Sequence, residues 1–372
     1  MGIFLDLRKA FDAVDHGILI EKLPYYGIRG RALDLIKSYL SNRTQFTMIN
    51  GVKSETKPVT CGVPQGSVLG PLLFLLYVND IGNCISSDIP RLFADDTGLF
   101  IHGSNISKVM KTAQDVLDKL QQWFCNNKLT LNIPKCSYVI FRGIKKVLPT
   151  DLPILQLNDV QIERVECVRY IGVMLDSFLS WKQHVDLICT KLNRLFGVFS
   201  HLRHKIPEPY ARQIYYSTIF PHVNYCLEIY GSCASNLVKK LQIKQNSLMK
   251  YLTKKDSLFS TYLIHHQNNI LKVKDAYELK LLSFVHDCLN QNAIPIFHHY
   301  FKHQRQTHQY STRQDSILSV PHMKTNIGLS SIKRKASDIW NSNKTAQNYL
   351  SFSKSTMKKH VFDSFVKTYQ TI

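Results

Sequence analysis

Two adjacent aspartates, Asp95 and Asp96, stand between Leu92-Phe93-Ala94 and Leu99-Phe100-Ile101, two apolar runs with the length of buried strands. Gly98 and the aspartates are turn formers, so the stretch reads as a β-hairpin with the acidic pair at or near its tip. Side chains alternate along a strand, so neighbouring carboxylates converge only where that alternation breaks. Two carboxylates ~4 Å apart repel by about 1–4 kcal/mol at effective dielectrics between water and a protein surface. A divalent cation turns that cost into a binding site, and hard oxygen ligands suit Mg²⁺. Taken alone, an Asp-Asp pair reads first as an acidic turn; the other residues of this chain reverse that reading.

A third carboxylate stands near the start. Ile3-Phe4-Leu5 reads as a buried strand that ends at Asp6. A carboxylate at the C-terminal end of a strand commonly lies at an active-site edge, and a helix N-cap is the structural alternative. Leu7 to Val14 has a helical pattern, with Asp12, Asp15 and His16 close by. Arg31 to Leu40 is amphipathic, with Leu33, Ile36 and Leu40 on one face. Thr44 to Ile49 and Val52 to Val59 flank Asn50-Gly51, a type I′ hairpin signal. The second of these strands runs into Cys61-Gly62-Val63-Pro64-Gln65-Gly66-Ser67-Val68-Leu69-Gly70-Pro71. Three glycines and two prolines there make a stiff loop that lets backbone approach a bulky ligand. A polar Gln65 inside that loop points to binding. Ser67 to Asp80 continues as an apolar helix.

Ser107 to Phe124 is an amphipathic helix with Val109, Ala113, Val116, Leu117, Leu120, Trp123 and Phe124 on one face. Leu129 to Lys135 reads as strand and turn, leaving Lys135 as a solvated lysine or a proton donor beside the site. A strand follows at Tyr138 to Phe141, and another at Tyr170 to Asp176, where Gly172 permits close approach. Trp181 to Leu202 is helical, with Val185, Ile188, Leu192, Leu195, Phe199 and Leu202 stepping by three and four. Its other face carries Lys182, Lys191, Arg194 and Arg203. Two further helices are expected over Tyr210 to Val223, interrupted by Pro221, and over Asn236 to Leu252, made basic by Lys239, Lys240 and Lys244. Beyond about residue 256 the pattern weakens. His298, His299 and His303 could bind a metal, but their polar surroundings favour a surface run.

Charge narrows the class of partner. Lys and Arg total 47 against 27 Asp and Glu, a formal charge of +20 spread along 372 residues. Such an excess suggests a polyanion partner such as nucleic acid, or an acidic membrane surface. The nine cysteines include no Cys-x-x-Cys pair, which argues against a zinc or redox motif and fits a reducing, intracellular setting. The longest apolar run, Pro71 to Val78, is too short to cross a bilayer.

The order of these pieces resembles the reverse transcriptases of non-LTR retrotransposons, closest in style to Jockey-like and chicken-repeat-like elements. Phe4-Leu5-Asp6-Leu7-Arg8-Lys9-Ala10-Phe11-Asp12 resembles motif A, Gly62 to Pro71 motif B, and Phe93-Ala94-Asp95-Asp96 motif C. Leu131-Asn132 with Lys135 is similar to motif D, and Tyr170-Ile171-Gly172 to motif E. The resemblance implies an α+β fold: the palm of a right-handed polymerase, an antiparallel sheet backed by helices, over residues 1–176. A helical thumb would follow over 177–255, and a mainly helical region of unknown role over 256–372. Fingers segments would stand ahead of motif A, so the chain is expected to be truncated at its N-terminus.

By the same resemblance Asp6 and Asp95 would ligate two Mg²⁺ (or Mn²⁺) ions, with Asp96 completing the set. Lys9 and Ala10 would meet the triphosphate of a dNTP through their backbone, and Phe11 would exclude a 2′-hydroxyl. Gln65 and Gly66 would shape the nucleotide pocket, and Lys135 would protonate pyrophosphate. Tyr170, Ile171, Gly172 and Val173 would form the primer grip. Lys182, Lys191, Arg194, Arg203, Lys239, Lys240 and Lys244 would hold the backbone of an RNA template, a DNA primer or their hybrid. Arg8 departs from the family, which usually has a small residue there. Two rivals remain at this stage: a nucleic-acid-binding remnant without turnover, and a metal-dependent nuclease.

Overall fold

The strand that carries Asp6, β1 (Gly2–Leu5), is fully buried and sits in the middle of a five-stranded sheet. The computed structural model describes residues 1–85, 90–202, 205–304 and 317–370. On one side β1 pairs antiparallel with β3 (Asp96–Phe100), in a register that sets Gly2 against Phe100 and Leu5 against Thr97. The strand β2 (Arg91–Phe93) pairs with β3 as a hairpin and forms that edge. On the other side β1 pairs antiparallel with β4 (Ser137–Val139), and β5 (Glu163–Arg164) closes the far edge. The pairing of β5 with β4 is parallel, so the sheet is mixed rather than wholly antiparallel as expected. The α+β class holds.

Helices α1 (His16–Lys22), α2 (Arg31–Leu40), α3 (Leu69–Val78) and α4 (Ile106–Asn126) complete this part of the chain. α4 buries the predicted stripe, with Ala113, Leu117 and Leu120 wholly inaccessible. Asn105 caps it, its side chain accepting from the Ser107 and Lys108 N–H groups. The Asn50-Gly51 turn is present, with both residues at positive φ and Ile49 paired to Val52.

Four local expectations fail. Leu7 to Val14 is not an α-helix: only a 3₁₀ turn, Ala10–Asp12, forms there. Leu7 is bridged to Leu131, the Arg8 N–H donates to the Thr130 carbonyl and Lys9 is left-handed at φ 51°, so no helix can run through the start of the segment. Gly98 is a strand residue, and the two-residue loop is Ala94-Asp95, with Ala94 at φ 52°. Leu129 to Leu131 makes only an isolated bridge, Leu131 against Leu7. Tyr170 to Asp176 is not one strand but a hairpin, β6 (Cys167–Tyr170) and β7 (Val173–Asp176), turning at Ile171-Gly172. Ile171 has φ 44°, a conformation that a β-branched residue adopts only under constraint.

The chain divides into two compact units, Met1–Phe178 and Leu179–Ile372. In the second, α5 (Lys182–Leu202), α6 (Ser235–Leu252), α7 (Val273–Leu289), α8 (Ile332–Ser342) and α9 (Lys354–Thr368) enclose one core. That core runs from Val185 through Leu248, Leu281 and Trp340 to Val361. Ahead of Pro221, which has no N–H to give, the helix widens into a π segment over Tyr215–Ile219. Among the described residues no helix is long and apolar enough to cross a membrane. All nine cysteines are free.

Candidate active site

Register brings the acids together. Leu5 faces Thr97 in an antiparallel pair, so the next step along β1, Asp6, lies across from the preceding residue of its partner, Asp96. Asp95 is the second residue of the loop between β2 and β3. Asp6, Asp95 and Asp96 are each half-buried. The Asp96 carboxyl is pushed above the ordinary carboxylate range, first by burial and then by the charges of Asp95 and Asp6. Three carboxylates at one end of neighbouring strands thus feel one another. As they stand, no three His, Cys, Asp or Glu side chains among the described residues are gathered closely enough to hold an ion. The donors are nevertheless the hard oxygens that a divalent cation takes, and the repulsion on Asp96 is what such a cation would relieve.

A short segment at the edge of β1 supplies the neighbours of Asp6. The Asn132 N–H donates to the Asp6 carbonyl at 2.8 Å, and the Arg8 N–H to the Thr130 carbonyl at 2.8 Å. The Asn132 side chain donates to Asp6 Oδ2 at 3.0 Å. Lys135, on the 3₁₀ turn Ile133–Lys135, places its ammonium 3.4 Å from the same oxygen. Lys135 therefore reaches the site, whereas Asn132 was not singled out by sequence as a site residue. Its signal was its place in the Leu131-Asn132 pair that, with Lys135, is similar to motif D.

The Gly-rich loop lies against the residues that follow Asp6. A Cβ on Gly62, at φ 86°, would come within 2.9 Å of the Asp12 backbone. On Gly70 a Cβ would stand 2.6 Å from the Pro64 carbonyl oxygen. Both positions demand glycine. Gln65 donates through Nε2 to Asp12 Oδ1 at 3.0 Å, a contact that sequence reasoning missed. Gly66 has φ 82° and open space around it. Lys9 is exposed and left-handed at φ 51°, and Ala10 is buried behind it. The Phe11 ring packs on Phe74, with centroids 4.8 Å apart.

Tyr170 lies over the sheet. Its ring is 5.0 Å from that of Phe4 and 6.1 Å from that of Phe100, and its hydroxyl donates to the Arg91 carbonyl at 3.3 Å. Burial, and then the charge of Asp96, raise its hydroxyl above the ordinary tyrosine range. Ile171, Gly172 and Val173 complete the adjoining turn.

Residues 1–175 match the family described as reverse transcriptase (RNA-dependent DNA polymerase). This stretch belongs to the reverse transcriptase family. The chain is 30% identical over 264 residues to the "RNA-directed DNA polymerase from mobile element jockey" of Drosophila melanogaster, covering 68% of the chain and 28% of that protein. It is 28% identical over 304 residues to the "Probable RNA-directed DNA polymerase from transposon X-element" of the same fly, covering 78% and 32%. It is 27% identical over 293 residues to the corresponding protein "from transposon BS", covering 74% and 31%. The chain therefore spans less than a third of the length of each of these relatives.

The basic residues expected to hold nucleic acid lie in the second unit. Lys182, Arg194 and Lys239 are exposed, and Lys191 and Lys244 are half-buried. Lys240 is engaged within the fold, its ammonium 2.5 Å from Asp186 Oδ1, which ties α6 to α5. Arg203 lies outside the described residues. Of the histidine run, His298 points Nε2 at the Ala293 carbonyl at 2.6 Å, a structural contact rather than a metal site.

Proposed function

We propose that the chain is the polymerase portion of a non-LTR retrotransposon protein, extending a primer 3′-hydroxyl with dNTPs on an RNA template. The observation that carries this reading is the register of β1 on β3, which sets Asp6 across from Asp96 and beside Asp95 within a reverse transcriptase domain. Residues 1–176 act as the palm, 177–255 as the thumb, and 256–372 as an appended region.

In this reading Asp6 and Asp95 hold two Mg²⁺ ions, or Mn²⁺ in their place, with Asp96 beside them. When bound, the ions would supply Lewis-acid stabilisation of the negative charge that develops in phosphoryl transfer. The remaining work falls to the chain. Lys9 and Ala10 offer backbone N–H groups to the triphosphate. Phe11, held by Phe74, presents a wall to the 2′ position of the sugar. Gln65 and Gly66 form the pocket floor, with Gln65 tied to Asp12. Lys135 donates a proton to the leaving pyrophosphate. The turn from Tyr170 to Val173 holds the primer end. Lys182, Lys191, Arg194, Arg203, Lys239 and Lys244 hold phosphates, and Lys240 contributes less because Asp186 already engages it.

The test is primer extension by the 372-residue chain on an RNA template with Mg²⁺, beside the Asp95→Asn variant. Loss of a metal ligand removes several kcal/mol of transition-state stabilisation, so the rate should fall by about 10³-fold or more. Equal rates, or no extension by either protein, would overturn the reading. Cleavage of the strands without added nucleotide would favour a nuclease instead.

A further inference from the structure

Lys135 and Asn132 converge on a single atom, Asp6 Oδ2, at 3.4 and 3.0 Å. Asp6 Oδ1 has no hydrogen-bond partner among the described residues. The two contacts differ in kind. Asn132 is anchored from both sides: its N–H donates to the Asp6 carbonyl, and its own carbonyl accepts from the Lys135 N–H at 2.8 Å and the Cys136 N–H at 3.2 Å. It is half-buried, and its backbone is held at both ends. The Lys135 side chain is 68% exposed, and the Asp6 contact is its one ion pair among the described residues. An exposed lysine pair of this length is weak and easily exchanged.

We propose that Lys135 is a placeholder for the cation at Asp6, and that Asn132 is the positioning residue that keeps the carboxylate aimed. This rests on the metal-dependent reading above. In the cation-free chain the ammonium stands 3.4 Å from Asp6 Oδ2 and offsets part of that carboxylate's charge. A divalent cation brings twice the charge to the same carboxylate, so Lys135 leaves when it binds. Asn132 stays on Oδ2 and hinders rotation of the carboxyl, which leaves Oδ1 free to ligate. The exchange also couples two events. A lysine freed from Asp6 only after a cation has arrived is released once the site is ready for nucleotide. The covalent chemistry is unchanged; what is gained is order.

The experiment measures Mn²⁺ binding to the full chain by calorimetry, with no nucleotide or primer. Lys135→Met should bind Mn²⁺ about two- to fivefold more tightly than the natural chain, because the competing ion pair is gone. Asn132→Leu should bind it roughly tenfold or more weakly, as loss of an outer-shell partner does. Circular dichroism melting of each variant excludes unfolding as the cause. Unchanged or weaker binding by Lys135→Met would overturn the placeholder role, and unchanged binding by Asn132→Leu the positioning role. If the natural chain binds no Mn²⁺, or binds it as well after Asp95→Asn, the metal-dependent reading itself fails, which is a separate outcome.

Discussion

Tyr170 occupies the space that a side chain on Gly98 would need: a Cβ there would stand 2.9 Å from the tyrosine Oη and 3.0 Å from Cζ. The contact joins the Ile171-Gly172 turn to the strand that begins with Asp96. A rigid ring cannot yield to a new methyl without moving the whole side chain. Gly98→Ala should therefore destabilise the first unit by about 1–3 kcal/mol. Tyr170→Phe, which loses only a long bond to the Arg91 carbonyl, should cost about 1 kcal/mol or less. Thermal denaturation of the two variants checks both, and equal losses would refute the steric account.

Asp96 should be a liability in the absence of metal. A carboxyl raised in the folded state adds stability that is fully present below the unfolded pKa and is lost as pH rises through the folded value. At neutral pH the ionised form is the disfavoured one. Asp96→Asn should then stabilise the metal-free chain by a few tenths to about 1 kcal/mol, after allowance for screening by solvent. The gain should vanish near pH 3. Melting with and without Mg²⁺ reads it, and a lower melting temperature for the variant without metal would contradict it.

Phe11 should set the choice of sugar. Its ring is braced by Phe74 and cannot retreat freely. Accommodating an added hydroxyl against it should cost about 1–3 kcal/mol, or roughly 5- to 150-fold in selectivity. Phe11→Val should admit ribonucleotides in primer extension, and unchanged selectivity would remove Phe11 from the role.

Binding of duplex should be steeply dependent on salt and indifferent to sequence. If about five phosphates are neutralised, log K should fall against log salt with a slope near −4.5. Lys239→Ala should make the slope shallower by about 1, and Lys240→Ala by less, because Asp186 already pairs with Lys240. Titrations at several salt concentrations test this, and equal changes for the two lysines would refute the distinction.

The second unit should lose stability in mild acid. His265 is 1% exposed, and its Nδ1 donates to the Ile270 carbonyl at 3.0 Å. Burial pulls its pKa down to about 4 from the ordinary 6.5, with the charge of Lys272 adding to that and the Ile270 bond opposing it. The unfolded chain takes up a proton near pH 6.5 and the folded chain does not until about 4. Stability therefore falls across that window, by about 3 kcal/mol, and levels off below it. His265→Gln should flatten that part of the curve in denaturant titrations at stepped pH.

What the sequence made legible was what depends on near neighbours. The stripe on α4 and the Asn50-Gly51 turn each follow from residues a few positions apart. What it hid was set from a distance. Gly98 resembles a turn former until Tyr170, far along the chain, is known to lie on it. Leu7 to Val14 has helical composition, but Thr130 and Leu131, far along the chain, hold its first residues extended. Ile171 defies its own propensity to turn a hairpin. The Asn132 contact with Asp6 spans 126 residues and the Gln65 contact with Asp12 spans 53, so no local pattern announces either.

The pairing of β1 with β3 also sets how this chain can change over time. Substitutions on its exposed helix faces leave that register alone, so the surface can drift while the acids keep their places. A single residue gained or lost within either strand is a different event. It would slide Asp96 away from Asp6 and turn Leu99, now wholly buried, toward the opposite face of the sheet. The constellation is therefore tolerant of spelling and intolerant of counting. Lineages descended from this sequence should show many replacements in residues 2–5 and 96–100 before they show one insertion or deletion there.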